Sequence, residues 1–370
     1  MPDSRFIRPL RWPLFSLTAV AMIIAILAVI LMFEAFPKRP QPKVGFITLG
    51  DIKEPGWNMS NYQGIERACE EFKLPLLVRD KVPEHGGKCA EAIKDLANEG
   101  CQLIILASFG FAREARQTIA DFPQIAFSTN SAEVQLRNLT SNFVRMYEGR
   151  YLTGIIAGQQ TRSGVIGYVG AMPNDEVNRG LNAFTLGVMR ANPKARVIVA
   201  WTGAWQDPAK EKENARRLVR EKGADVLAYH QDDSAVPDLA EAEGVDFIGF
   251  NTPLFGYSEH HLVSILCRWD IYYSDVVRRF LREEHNANRI NWLGVDRGVV
   301  MLSNYSPRVD VETRAVVESA RMEFLRDEVV FSGPLRDREG NMRCPAGEVI
   351  ADDTLLKSMD WQLEGVEILD

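Results

Sequence analysis

Taken as a succession of apolar and polar positions, the chain begins with its most one-sided stretch. From Trp12 to Phe33 no residue is charged and nearly all are apolar. About 20 such residues match a helix that crosses a bilayer. Arg5, Arg8 and Arg11 precede the run, while Lys38, Arg39 and Lys43 follow it; the leading cations hold the N-terminus in the cytoplasm. A cleaved signal usually has a shorter apolar core and a small-residue cleavage site, so an uncleaved single-pass anchor is the favoured reading. It places 1–11 in the cytoplasm and 12–33 in the plasma (inner) membrane. A Pro- and cation-rich linker over 34–42 then leads to an extracytoplasmic part.

Beyond the linker the pattern alternates. KVGFITL over 43–49, LPLLVRD, CQLIILAS and QIAFST are short β-branched or apolar runs that predict buried strands. Between them, apolar residues recur at helical spacing over 58–73, 88–98 and 112–121. A long helix over 147–161 precedes a second series of the same kind. GVIGYVG, ARVIVAW, ADVLAYH and VDFIGFN are its strands, and helices over 174–191 and from Asp207 onward lie between them. Asp207 and Pro208 read as N-cap and first helical residue. Strand and helix units repeated at this size imply parallel sheets covered on both faces. The expected fold is α/β, with two Rossmann-like lobes that share the last third of the chain. Lobe one is expected over 43–162 plus 258–288, and lobe two over 163–257 plus 289–370.

Composition narrows the partners. The net charge of −7 offers no basic stripe for phosphates, so nucleic acid is excluded as a partner. Five scattered cysteines give neither a disulfide framework nor a CxxC metal pair. No GxSxG or HExxH occurs, and the run Glu84 to Lys88 lacks P-loop spacing. No enzyme, cofactor or metal is expected.

Candidate chemistry lies at the carboxyl ends of the strands, where open α/β sheets hold ligands. Trp57 and Asn58 stand in LGDIKEPGWNMSNYQG, Phe109 and Phe111 in SFGFA, Trp205 after ARVIVAW, Asp232 within 230–233, and Asn251 after VDFIGF. Aromatic loops with amides and an acidic cluster suit a flat heteroaromatic ligand with polar edges. Of Asp232 and Asp233, one is expected to cap the helix that follows.

Six segments in order, GWNMSNYQG, SFGFA, NLTSNFVRMYEGRYLTGIIAG, GVIGYVGAMPNDEVNRGLNAFTLGV, WTGAWQDPAKEKENAR and SMDWQLEGV, resemble the basic membrane protein family. Its members are type 1 periplasmic-type binding proteins related to the purine nucleoside receptors of ABC importers. The resemblance implies two lobes on a three-stranded hinge and a ligand between them. It also implies that Trp57 and Trp205 sandwich a purine, with Asn58 beside them. An Asp and a Lys that hold ribose in nucleoside receptors correspond here to Asn251 and Cys267, so the resemblance points towards a free base such as adenine, with Asp232 accepting from its amine. The expected function is therefore a tethered substrate-binding protein that hands a purine base or nucleoside to an ABC permease. The alternative is a tethered sensor using the same cleft.

Overall fold

A computed structural model describes residues 19–28, 41–130, 134–254, 256–284, 290–326 and 328–370. The expected anchor lies largely outside these residues. Its described part, 19–28, is helical with exposed side chains. Among the described residues no helix is long and apolar enough to cross a membrane. Residues 42–370 form one unit.

That unit is built on two sheets. Sheet one holds β1 (Lys43–Ile47), β2 (Leu76–Arg79), β3 (Cys101–Leu106), β4 (Ala126–Thr129), β5 (Leu139–Val144) and β11 (Ile290–Leu293), in the order 11-5-4-3-1-2. All its pairings are parallel. Sheet two holds β6 (Val165–Gly170), β7 (Arg196–Trp201), β8 (Val226–His230), β9 (Asp246–Phe250), β10 (His261–Cys267), β12 (Val300–Leu302) and β15 (Val366–Ile368), in the order 12-10-9-8-6-7-15. Only β10 and β12 run antiparallel. The central strands β1, β3, β6, β8 and β9 are almost wholly buried, as continuous apolar runs under helices on both faces require.

The chain crosses between the lobes three times, after β5, after β10 and after β11. The crossings lie side by side. Arg145 N donates to Leu293 O at 2.8 Å and Arg268 N to Val299 O at 2.7 Å, while Val295 N donates to Glu148 Oε2 at 2.7 Å. This is a three-segment hinge.

Lobe boundaries differ from those expected. Helix Met146–Gln160 packs along Asp175–Ala191 in lobe two, because glycines bring the two backbones together. A Cβ at Gly154 would run into the carbonyl of Phe184, and one at Gly187 into that of Tyr151. Strand β10 likewise belongs to sheet two and β11 to sheet one, whereas helix Trp269–Leu281 packs on Trp57–Phe72 in lobe one.

The last forty residues run over lobe two. They form a small hairpin of β13 (Leu335–Arg336) and β14 (Met342–Cys344), a helix Asp352–Lys357, and the edge strand β15. Buried asparagines tie this tail to helix Asp175–Ala191. Asn178 Nδ2 donates to Met359 O, and Asn182 Nδ2 to Trp361 O, both at 3.0 Å.

Local signals are met where the side chain itself does the work. Asp207 accepts from Lys210 N at 3.1 Å, and Glu211 Oε1 reaches back to Asp207 N at 2.8 Å. Both bonds satisfy donors that a helix start leaves unpaired. Asp207→Ala is expected to lower stability by about 1 kcal/mol, read as a fall in the denaturant midpoint of the full-length chain; an unchanged midpoint would show that the cap is idle.

Candidate functional site

Two sets of strand-end loops meet between the lobes. Lobe one brings Trp57 after β1, and Ser108 and Phe109 after β3. Lobe two brings Glu176 after β6, Trp205 after β7, His230 and Asp232 after β8, and Phe250 from β9. These residues line one cavity of about 30 Å³, which is room for about one water.

The aromatic rings set its shape. Phe109 and Trp205 face each other across the lobe boundary with ring centres 6.4 Å apart and planes tilted by 54°. Trp205 lies 6.1 Å from His230, whose ring is 4.8 Å from Phe250. A flat ring between two others needs contact distances near 3.5 Å on each face, hence about 7 Å between the outer pair. At 6.4 Å and 54° Phe109 and Trp205 touch each other directly, as ordinary aromatic pairs do, so a flat ring enters between them only when the lobes move apart.

Trp57 is placed differently from the expected sandwich. Its Nε1 donates to Ala107 O at 3.0 Å, and its ring meets Trp269 edge-on at 5.0 Å. Thus Trp57 is a fixed side wall. Three further expected residues stand outside the cavity lining. Asn58 is buried away from the cavity, with Oδ1 accepting from Thr48 Oγ1 at 2.5 Å and Gly50 N at 3.0 Å; it ties down the loop that carries Trp57. Phe111 is fully buried in the second core of lobe one. Two residues past Phe109, it has entered a short helix and turned inward. Asn251 follows a lining residue but does not line the cavity itself. It has a φ of 57° and is buried, and neither amide atom has a partner among the described residues.

Carboxyls dominate the electrostatics. Burial, then the neighbouring Glu176, Asp233 and Glu84, push Asp232 up to about 8. Burial raises Glu176 to about 7 against the pull of Arg179. Glu84 accepts from Ser108 Oγ at 2.5 Å and Gly110 N at 2.6 Å, which fixes the Phe109 loop. Burial, then Arg150 and Arg179, hold His230 well below its usual range, so its ring is neutral. Asp233 accepts from Ala235 N at 2.7 Å, a turn that precedes the helix, whose N-cap position is Ser234 rather than either member of the expected pair. Among the described residues no cluster of side chains could hold a metal ion.

Sequence reasoning did not single out Glu176, His230 or Phe250. Their signal was only positional, since each ends a strand of sheet two or starts the helix after one.

Opened by a movement of the lobes, such a cavity can stack a flat ring and offer carboxyl oxygens to its donors. The comparisons agree in kind. Residues 41–329 match the family model described as ABC transporter substrate-binding protein PnrA-like (Bmp). A purine-binding protein of Brucella abortus (strain 2308) is 29% identical over 350 residues, covering 94% of this chain and 99% of its own. A putative ABC transporter glucose-binding protein of Haloferax volcanii is also 29% identical, over 326 residues, 87% of this chain and 79% of its own. A solved ABC transporter solute-binding protein from Aeropyrum pernix K1 superposes with a TM-score of 0.66 at 18% identity, covering 85% of this chain and 95% of its own, a likeness of fold. The chain belongs to the PnrA-like (Bmp) family of ABC transporter substrate-binding proteins, which bind ligands and are not enzymes.

Proposed function

We propose that the chain is a membrane-tethered, extracytoplasmic receptor that captures a purine base or nucleoside and delivers it to an ABC permease. One observation carries the reading: the Phe109–Trp205 pair, one ring from each lobe, with Trp57 as side wall and the carboxyls of Asp232 and Glu176 lining the same cavity. Stacking supplies apolar area. A carboxyl oxygen accepts from an exocyclic amine, and a neutral carboxyl can also donate to a ring nitrogen. The likeness to a purine-binding relative points the same way. Phe109 belongs to lobe one and Trp205 to lobe two, so a bound ring holds the lobes together, and the permease reads that closed form. The charge-free run over 12–33 is the tether.

Thermal unfolding of the full-length chain in mild detergent tests this. Adenine, guanine, adenosine and guanosine are compared with glucose and ribose. A purine that binds only the folded form adds about 2.7 kcal/mol at a hundredfold excess over its dissociation constant, and at least one is expected to raise the midpoint. A rise with glucose and none with any purine would overturn the reading.

A further inference from the structure

Behind the aromatic slot, towards the hinge, lies a second cavity of about 10 Å³, the space of about one oxygen atom with its hydrogens. Val144 and Met146 of the first crossing, Arg150 one turn later, Glu176 and Gly180 on the facing helix, and His230 form its walls. Glu176 and His230 also line the slot. The two cavities therefore share a wall.

Arg150 is the unusual member. It is fully buried, its Nη1 donates to Tyr229 O at 2.8 Å, and its guanidinium carbon lies 4.0 Å from the centre of the Phe250 ring. Its Nε and Nη2 have no partner among the described residues, and neither has Nδ1 of the buried His230. Buried donors on a charged group are seldom left without an acceptor, because the interior cannot replace lost water.

Two of the unpaired atoms lie beside Gly180. A Cβ at Gly180 would stand 3.6 Å from His230 Nδ1 and 3.8 Å from Arg150 Nε. With no side chain on Gly180, the space beyond its Cα, next to both nitrogens, is left open to a ligand oxygen.

We propose that this cavity is a second subsite, which receives an acceptor oxygen of the molecule held in the slot, a ring oxo group or a sugar hydroxyl, through Arg150 and His230. A hydroxyl suits either tautomer of neutral His230, whereas an oxo oxygen needs Nδ1–H. The carboxyls at the slot then face the amino donors of the same ligand. This inference rests on the slot being the ligand site. Among free bases it favours guanine and hypoxanthine over adenine, and so departs from the expectation drawn from Asn251 and Cys267.

Calorimetric titration of the full-length chain and of Gly180→Ala tests it, with adenine, hypoxanthine, guanine, adenosine and guanosine as probes. The added methyl meets its neighbours at ordinary contact distances and lies inside helix Asp175–Ala191, where alanine is the better helix former. The variant should therefore fold. The wild-type protein is expected to bind at least one oxygen-bearing probe at least tenfold more tightly than adenine, and Gly180→Ala to reduce that ratio about tenfold. Adenine bound as tightly as every other probe, or a ratio the variant leaves unchanged, would overturn the subsite. Failure of all five probes would count against the purine reading instead. The subsite then has its own readout in a crystal structure of the full-length chain as purified. Arg150 Nε bonded to an oxygen of a co-purified molecule supports it; a direct Arg150–Glu176 ion pair, or only a water there, overturns it.

Discussion

Trp205→Ala is expected to weaken purine binding by about a hundredfold, the upper part of the range for removing one stacking ring, while moving the unfolding midpoint little. The two effects separate because Trp205 stands on a loop after β7, partly exposed, with its ring against Phe109 of the other lobe and against His230. No core depends on it. Trp57→Ala is a poorer probe of the same question. It also removes the hydrogen bond to Ala107 O and the edge contact with Trp269, so affinity and midpoint should fall together. Titration calorimetry and thermal unfolding of both variants decide the matter. Unchanged affinity in Trp205→Ala would place the ligand elsewhere.

Stability of the ligand-free protein is expected to decline from pH 5 to pH 8. Four carboxyls are raised to 7 or above, chiefly through burial: Glu148 and Glu176 at about 7, Glu211 and Asp232 at about 8; burial also raises Asp175. Between the ordinary carboxyl range and these values, such a group is protonated when folded and ionised when unfolded. The folded state then binds more protons, so raising the pH removes stability, by at most about 1.4 kcal/mol per pH unit for each group. Well below pH 4 both states are protonated and above about pH 9 both are ionised, so these groups add no slope at either end; His230 and His261, whose values are lowered by burial, oppose them below pH 6.5 and leave the decline steepest above it. Asp232→Asn removes one of the four groups and should flatten the decline while raising the midpoint at pH 8. A midpoint that climbs from pH 5 to pH 8 would mean that these carboxyls are ionised and paired in the folded protein.

Much of the fold was legible because the central strands of both sheets are parallel and buried. KVGFITL, CQLIILAS, GVIGYVG and VDFIGFN are mostly apolar runs, and they became β1, β3, β6 and β9. Asp207 with Pro208 marked a helix start for a reason local to those residues. Lobe membership was hidden for a physical reason. Helix Met146–Gln160 is buried on nearly all sides, so its pattern does not say which sheet it covers, and the close approach at Gly154 and Gly187 decides it. Strands β11 and β15 are edge strands of a few residues that acquire their conformation from a neighbour.

The cavity was legible in part. Strand-end position found Trp57, Phe109, Trp205 and Asp232, which line one space. It could not separate Phe109 from Phe111, whose fates are set by a turn that begins between them. Nor could it show that Asn58 serves its own loop. Glu176 in a first helical turn reads equally well as a partner for the helix dipole. Arg150 sits within a long helix, where nothing in the spacing reveals that two of its nitrogens lack a partner among the described residues.

The most direct test of the central claim is a calorimetric titration of the full-length chain with guanine, adenine and guanosine against glucose. The account predicts one purine molecule per chain at a micromolar or lower dissociation constant, about −8 kcal/mol or better, no heat from glucose, and a large loss in Trp205→Ala. Saturable glucose binding with no purine response would contradict it.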